Sequence, residues 1–293
     1  MHAPERPPDA RRDDRARDDV RRRRTGHGDA RRAPLSEPVL LIAGLGQGAW
    51  VWRDVAAVLE RERPVVLFEA AGTGALRDEP ARETVQAMAD DAAALLDGPA
   101  HVVGLSMGGY VALTLALAQP ALVRSLVLLG TGGGGPGRVP RPFHVARAFE
   151  DAFGTSPEEF ARRTIPFTFA PGWTEANPER FEELVSLRVA QPTSYEAILK
   201  HAEACYAFYR EGCEAERVSV PALVVHGDED LIVPVENGRM LVARLRDVEY
   251  VELAGHGHNL SLEIPDALAG LVSRFLSRVE AGASARPSTP SRP

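Results

Sequence analysis

The sequence predicts an α/β protein with a mostly parallel central sheet, helices on both faces and a helical cap inserted after the fourth recognisable strand. Three observations support this fold class. Short β-branched, apolar runs alternate with helical segments along most of the chain, as in parallel sheets covered on both faces. One long interval, residues 131–217, breaks this alternation with helical segments alone. Glycine-rich or polar turns follow several predicted strands, whose ends meet at one edge of such a sheet.

The predicted core elements follow one another in a regular order. Apolar runs predict strands at residues 39–43, 65–68, 102–104, 125–129, 222–226 and 249–253. Helical spacing of apolar residues predicts helices at residues 51–61, 82–96, 235–244 and 264–279, and a further helix that ends at Gln119 before Pro120. Residues 34–130 and 218–280 are therefore predicted to form one core domain.

Residues 131–217 are predicted to form the cap. A glycine run at residues 132–135 is followed by helical segments near residues 143–153, 157–163, 178–189 and 194–209. The interval holds twelve of the eighteen aromatic residues. We expect most of them to form the core of the cap itself, and a few to line an apolar pocket over the carboxyl ends of the strands.

Charge is distributed unevenly along the 293 residues, whose net charge is −7. Residues 1–33 contain eleven arginines against seven acidic residues and almost no large apolar side chains. We predict a disordered Arg/Asp-rich tail there and a second disordered tail at residues 281–293. The acidic remainder of the chain argues against nucleic acid or an anionic membrane as a partner.

The sequence offers no sign of export. No apolar segment of signal-peptide type follows the arginines, and no run of eighteen apolar residues occurs. Cys205 and Cys213 are therefore predicted to be free thiols. We expect a cytoplasmic protein.

The segment from Gly104 to Gly108 carries the strongest chemical signal. Its Gly-Leu-Ser-Met-Gly sequence stands between an apolar strand and a helix, which is typical of the turn that exposes a nucleophilic serine. Ser106 is thus the candidate nucleophile. The alternative is a glycine-rich turn that only closes a strand–helix unit.

A nucleophilic serine needs a base and a carboxylate that orients it. Two downstream segments contain candidates in the expected order, namely Asp228 and Asp230 after one strand, and His256 and His258 after the last. The rival interpretations are hydrogen bonds within loops, or a divalent metal. The possible metal ligands are His226, Asp228, Asp230, His256 and His258.

Residues 39–279 resemble the α/β-hydrolase fold superfamily, in its esterase, lactonase and haloperoxidase-like branch. The resemblance is carried by the glycine–serine turn, a His-Gly-x-x-Asp-x-x-Val-Pro run from His226, a Gly-His pair at His258, and a Glu-x-Pro element at Glu263. It implies that Asp230 is the acid and His258 the base, in preference to Asp228 and His256.

The sequence departs from this pattern in the loop after the first strand. Two backbone amides are needed to hold a developing oxyanion, and we expect Met107 and Leu45 to supply them. Ala43 stands where relatives usually have histidine. Gln47 is either an extra donor or a solvated amide.

Two further departures concern neighbouring regions of the core. Glu69 replaces a usual aspartate, and the arginine and serine of the same turn are missing; we interpret this as altered local bracing. No strand is predicted before Val39, so the sheet is expected to lack two antiparallel strands that many relatives carry.

The most direct functional prediction is a serine hydrolase that cleaves a carboxylic ester or lactone through an acyl-enzyme, without cofactor or metal. The substrate is expected to be a small, largely apolar molecule, since no arginine pair is expected near the site to bind a dicarboxylate. The alternatives are an acyltransferase with the same triad and a non-catalytic ligand-binding relative. The sequence does not indicate the oligomeric state.

Overall fold

The computed structural model describes residues 36–284, which contain a six-stranded, fully parallel sheet. The strands are β1 (Val39–Ile42), β2 (Val65–Phe68), β3 (Ala100–Leu105), β4 (Val123–Leu129), β5 (Ala222–Gly227) and β6 (Val248–Leu253). Their order across the sheet is β2-β1-β3-β4-β5-β6. All strands point the same way, so the turns after them lie along one edge.

Eleven α-helices occur within the described residues. They are α1 (Arg53–Leu59), α2 (Val85–Ala93), α3 (Met107–Ala118), α4 (Phe143–Ala152), α5 (Pro157–Thr164), α6 (Trp173–Ala176), α7 (Pro178–Ala190), α8 (Tyr195–Glu211), α9 (Val235–Val242), α10 (Leu260–Glu263) and α11 (Pro265–Ser284). The helices α4 to α8 all lie between β4 and β5. We call residues 131–217 the insertion.

The central strands β1 and β3 are buried on both faces because they alternate apolar residues between two cores. Leu40 and Val102 belong to one core, whereas Leu41 and Val103 belong to the other. All four side chains are fully buried. Alternation with a period of two residues is what a strand requires, and a sheet covered on both faces needs apolar residues at every position.

The predicted fold class is confirmed, with differences at the ends of several elements. The last helix reaches Ser284, so residues 281–284 are helical and not part of a tail. The helix predicted at residues 82–96 is shorter, since it begins at Val85 after its N-cap Thr84. The short helices α6 and α10 were not predicted, because four residues are too few for helical periodicity to be recognised.

A buried charged cluster lies near the amino-terminal ends of the strands. His101 is fully buried, with Nδ1 2.7 Å from Ser125 Oγ and Nε2 3.2 Å from Glu280 Oε1. Arg63 donates to the same Glu280 oxygen at 2.7 Å, and Arg124 pairs with Glu37. Burial lowers the pKa of His101 to about 4, despite the opposing effect of Glu280. The imidazole is therefore neutral at neutral pH.

Three sequence-based expectations concern regions beyond the sheet. No helix within residues 36–284 is long and apolar enough to span a membrane. Cys205 and Cys213 are free thiols, as predicted. The tail predicted at residues 1–33, and most of the one predicted at residues 281–293, lie outside the described residues.

Candidate active site

Ser106 occupies a strained turn between β3 and α3. Its φ of 57° and ψ of −117° make it the only non-glycine residue with positive φ in the described part of the chain. Three hydrogen bonds hold the turn: the Ser106 N–H donates to the Leu129 carbonyl, and the Ser106 carbonyl accepts from the Gly109 N–H and from Thr131 Oγ1. Strain maintained in this way is common where a side chain must project into a site.

The two glycines of the motif are required by close contacts. A Cβ at residue 104 would overlap the carbonyl of Gly108, and a Cβ at residue 108 would overlap the carbonyl of Ile42. Neither neighbour is a flexible side chain that could move aside. The tight approach of β3, α3 and β1 therefore depends on both glycines, as the sequence motif indicated.

Asp230 lies buried in the turn after β5, and both of its carboxylate oxygens have nitrogen neighbours. Its Oδ1 accepts from the N–H groups of Ile232 and Val233, both at 2.8 Å. Its Oδ2 lies 2.7 Å from His258 Nδ1 and 3.3 Å from His226 Nε2. Burial raises the pKa of this carboxyl, but the two imidazoles outweigh burial and hold the pKa well below its ordinary range.

These contacts determine where the protons lie. An ionised carboxylate can only accept hydrogen bonds, so Nδ1 of His258 is the donor to Asp230. In the neutral ring, the other nitrogen of His258, Nε2, then carries a lone pair. His258 lines the same cavity as Ser106. The arrangement places a histidine of fixed tautomer in the wall of the cavity that the half-buried Ser106 also lines.

His226 is a second, fully buried imidazole beside the same carboxylate. Its Nε2 lies 2.8 Å from the Val233 carbonyl as well as near Asp230. Because both neighbours are acceptors, Nε2 carries the proton. The buried Nδ1 atom has no hydrogen-bond partner within the described residues.

The rival residues Asp228 and His256 have other partners. Asp228 is exposed and accepts from the Gly255 N–H at 2.7 Å. His256 Nδ1 lies 3.1 Å from Glu263, whose second oxygen accepts from the Gly257 N–H. Both residues thus brace the loop that carries His258.

The loop after β1 lies in the same cavity as Ser106. Gly44, Leu45 and Met107 line this cavity, and a Cβ on Gly44 would lie 3.4 Å from the Cβ of Ser106. Met107 is the first residue of α3, where a backbone N–H has no acceptor within its own helix. The predicted donors Leu45 and Met107 therefore line the cavity that Ser106 also lines.

Side chains from three directions hold this loop, which begins at Ala43. Gln47 is half-buried, and its Nε2 donates to Asn259 Oδ1 at 3.1 Å. Thr193 of the insertion donates to the Gly46 carbonyl at 3.1 Å. Glu69 accepts from the N–H groups of Ala49 and Ala75, the latter at 2.6 Å. Glu69 thereby connects the loop after β1 to the turn after β2.

A cavity of about 860 Å³ is lined by Leu45, Ser106, Met107 and His258, and also by residues of the insertion. Much of its wall is aromatic or aliphatic, including Tyr110, Phe149, Phe153, Phe160, Phe169, Ile165, Leu184 and Ile198. Cys205 also lines it, but burial raises the pKa of this thiol to about 12. The neutral thiol is a poor nucleophile at neutral pH.

Two features of the site were missed from the sequence. Arg141 and Arg188 both line the cavity, contrary to the expectation that no arginine pair lies near the site. The carbonyl of Thr168 accepts from the N–H groups of His258 and Asn259, at 3.1 and 2.8 Å. No local sequence pattern marks either feature, because each depends on how the insertion packs on the core.

The five residues considered as metal ligands do not gather into one site. Among the described residues, the only group of three or more ligand-type side chains within 4.8 Å of one another is Glu37, His101 and Glu280. That group lies at the opposite end of the strands. Arg63 and Arg124 already pair with its two carboxylates.

The chain is similar in sequence or fold to several proteins that are named as hydrolases. A protein from Azorhizobium caulinodans named "Putative carbamate hydrolase RutD" is 30% identical over 247 residues, covering 83% of this chain and 92% of that protein. Two solved structures are also similar. A thermophilic esterase from Thermogutta terrifontis has a TM-score of 0.70 and 25% identity, with 84% of this chain and 91% of that one covered. The enol-lactonase from Burkholderia xenovorans LB400 has a TM-score of 0.68 and 26% identity, with 85% and 94% covered.

The family model of the alpha/beta hydrolases matches residues 39–271. This span includes the serine turn, the buried aspartate and the histidine loop described above. The chain belongs to the alpha/beta hydrolase family.

Proposed function

We propose that the protein is a serine hydrolase that cleaves a carboxylic ester or lactone through an acyl-enzyme. The observation that carries this proposal is the 2.7 Å contact between His258 and Asp230, in a cavity that also contains the strained Ser106. A buried carboxylate that fixes a histidine tautomer beside a serine turn is the arrangement that activates serine in acyl transfer.

In this mechanism Ser106 Oγ attacks the acyl carbon while His258 Nε2 accepts its proton. The imidazolium that forms is stabilised by Asp230, which stays ionised. His258 then returns the proton to the leaving alcohol, or to the ring-opened alkoxide of a lactone. Water attacks the acyl-enzyme with His258 again as base, and Ser106 leaves as the free hydroxyl.

The N–H groups of Leu45 and Met107 are the proposed oxyanion donors. This proposed role is supported by the position of both residues in the cavity wall. The bonds from Gln47, Thr193 and Glu69 hold the loop that carries Leu45 in place. Donors fixed before the reaction cost no reorganisation when the charge develops.

The insertion is the proposed cap, and its aromatic side chains favour a substrate with a substantial apolar part. A cavity of about 860 Å³ is in the range that accommodates a drug-sized molecule. Esters of medium chain length are therefore expected to react faster than acetate esters.

A carbamate substrate is the second candidate, because the relative from Azorhizobium carries that activity in its name. The same serine mechanism can act on a carbamate ester, with a carbamoyl-enzyme in place of the acyl-enzyme.

An acyltransferase would also use these groups, with an alcohol or amine replacing water. Product analysis with competing acceptors separates transfer from hydrolysis.

The experiment is a panel of 4-nitrophenyl acetate, butyrate, hexanoate and N-alkylcarbamate, together with a γ- and a δ-lactone. Wild type and Ser106→Ala are compared by kcat/KM for each substrate. We expect wild type to hydrolyse esters or lactones of the panel, and Ser106→Ala to hydrolyse none of them. Turnover of the carbamate alone would assign the second candidate, and equal turnover by the variant would contradict the serine mechanism.

A further inference from the structure

Two arginines in the cavity lack the partners that other arginines of the insertion have. Within residues 36–284, neither Arg141 nor Arg188 forms a salt bridge. Their recorded contacts are with aromatic rings, at 5.4 Å from Phe149 for Arg141 and 5.4 Å from Phe160 for Arg188. Arg162, Arg163 and Arg180 each pair with a glutamate or aspartate.

Arg188 is the more informative of the two because of its position. An Nη atom of its guanidinium lies 3.4 Å from the point where a Cβ on Gly46 would stand. Gly46 follows the proposed oxyanion donor Leu45, so the cation lies beside the loop that carries this donor. Burial lowers the pKa of Arg188 to about 10, which still leaves the side chain cationic at neutral pH.

Arg188 is half-buried, and a cation held partly out of water without a counterion is costly for a folded protein. Such a group is common where a ligand completes the pairing, and guanidinium suits a carboxylate because it donates two parallel hydrogen bonds. The aromatic rings beside both arginines contribute cation–π attraction, but they do not neutralise charge.

The other charges of the cavity leave Arg188 as the cation without a compensating carboxylate. Arg210 pairs with Glu211, and Glu150 lies 3.8 Å from Arg147. Glu203 also lines the cavity, on an exposed part of α8. Arg141 is exposed, and the negative charge of Asp230 acts on it, whereas no carboxylate of the described residues acts on Arg188.

We infer that the substrate carries a carboxylate, separated by an apolar spacer from the ester or lactone bond, and that Arg188 binds it with help from Arg141. This inference rests on the proposed function and names its substrate class. The apolar wall between the charged groups accommodates the spacer. Arg188 and Arg141 are thus specificity residues for an anionic ester.

The test uses two esters that differ only at the end of the acyl chain. These are 4-nitrophenyl hexanoate and mono-4-nitrophenyl adipate, which ends in a carboxylate. The ratio of their kcat/KM values is measured for wild type, Arg188→Gln, Arg141→Gln and Arg188→Lys. Arg163→Gln is the matched control, because that arginine lies on the same insertion but is paired with Glu159 outside the cavity.

Wild type is expected to prefer the adipate ester. Arg188→Gln should reduce the preference about 10- to 100-fold, the usual value of a hydrogen-bonded charge pair. Arg141→Gln should reduce it less, Arg188→Lys should keep part of it, and Arg163→Gln should leave it unchanged. No preference in wild type, or the same preference in Arg188→Gln, would overturn the inference while hydrolysis of both esters upholds the proposed function.

Calorimetric titration measures recognition of the carboxylate separately from hydrolysis. Ser106→Ala and Ser106→Ala/Arg188→Gln are titrated with both esters, so that recognition is measured without turnover. Tighter binding of the adipate ester by Ser106→Ala, lost in the double variant, supports anion recognition even if wild type hydrolyses neither ester. Equal affinity for both esters would overturn it.

Discussion

The Nδ1 atom of His258 lies 2.7 Å from Oδ2 of Asp230, although 28 positions separate the two residues in the chain. The pairing follows from the parallel sheet, since β5 and β6 are neighbours and the turns after them meet at one edge. Backbone N–H groups of Ile232 and Val233 orient the carboxylate from behind. The sheet thus brings the two side chains together, and the carboxylate fixes the proton on Nδ1 of His258.

Replacing Asp230 by asparagine should lower kcat by roughly 10³- to 10⁴-fold, as expected when a catalytic histidine loses its orienting carboxylate. Asparagine keeps the size of the side chain but removes the charge that stabilises the imidazolium. Steady-state kinetics on the best ester of the panel checks this value. Asp228→Asn is the matched control, and it should stay close to wild type because Asp228 contacts only the loop backbone at Gly255. Equal losses in the two variants would contradict the assignment of Asp230.

Glu69→Gln tests the bracing of the loop that carries Leu45. Both carboxylate oxygens of Glu69 accept backbone N–H groups, from Ala49 and Ala75, whereas an amide has only one acceptor oxygen. We expect kcat to fall about tenfold with a smaller change in KM, because small displacements of oxyanion donors are costly. The control Glu79→Gln changes an exposed carboxylate of the following turn. A Glu69→Gln enzyme with unchanged kcat would show that the loop does not need this residue.

His101 should make folding stability depend on pH. Its pKa is about 4 in the folded protein, against about 6.5 for an unfolded histidine. Between these values the unfolded chain binds a proton that the folded protein does not, so stability falls as pH decreases. From pH 7 to pH 5 the loss from this residue is about 2 kcal/mol.

The measurement is urea unfolding of wild type and His101→Gln at pH 8, 7, 6 and 5. Glutamine keeps a polar side chain without a titrating ring, so the variant should lose less stability on acidification. Between pH 8 and 7 the two proteins should differ by a nearly constant amount. A constant difference down to pH 5 would rule out His101 as a source of the pH dependence.

Much of the core could be predicted from sequence because its signals are local. Each strand is a short apolar run, and the spacing of Gly104, Ser106 and Gly108 between an apolar run and a helical segment predicts a strand–turn–helix unit. Asp230 and His258 were predicted as partners through the family pattern, since spacing alone left Asp228 and His256 open.

The missed features depend on contacts between distant parts of the chain. Arg188 reaches the cavity only because α7 packs beside the loop at Gly46, and nothing near Arg188 in sequence indicates this. The carbonyl of Thr168 holds the histidine loop through backbone atoms, which side-chain patterns cannot reveal. The cytoplasmic location stays a prediction from sequence.

Covalent labelling shows directly whether Ser106 is the reactive nucleophile. Wild type and Ser106→Ala are treated with a fluorophosphonate and examined by intact mass and by peptide mapping, while ester hydrolysis is followed in parallel. We predict one adduct per chain at Ser106 in wild type. In Ser106→Ala we predict no adduct, and hydrolysis at least about 10⁴-fold slower. An unlabelled wild type, or a variant that is labelled and hydrolyses as fast as wild type, would contradict it.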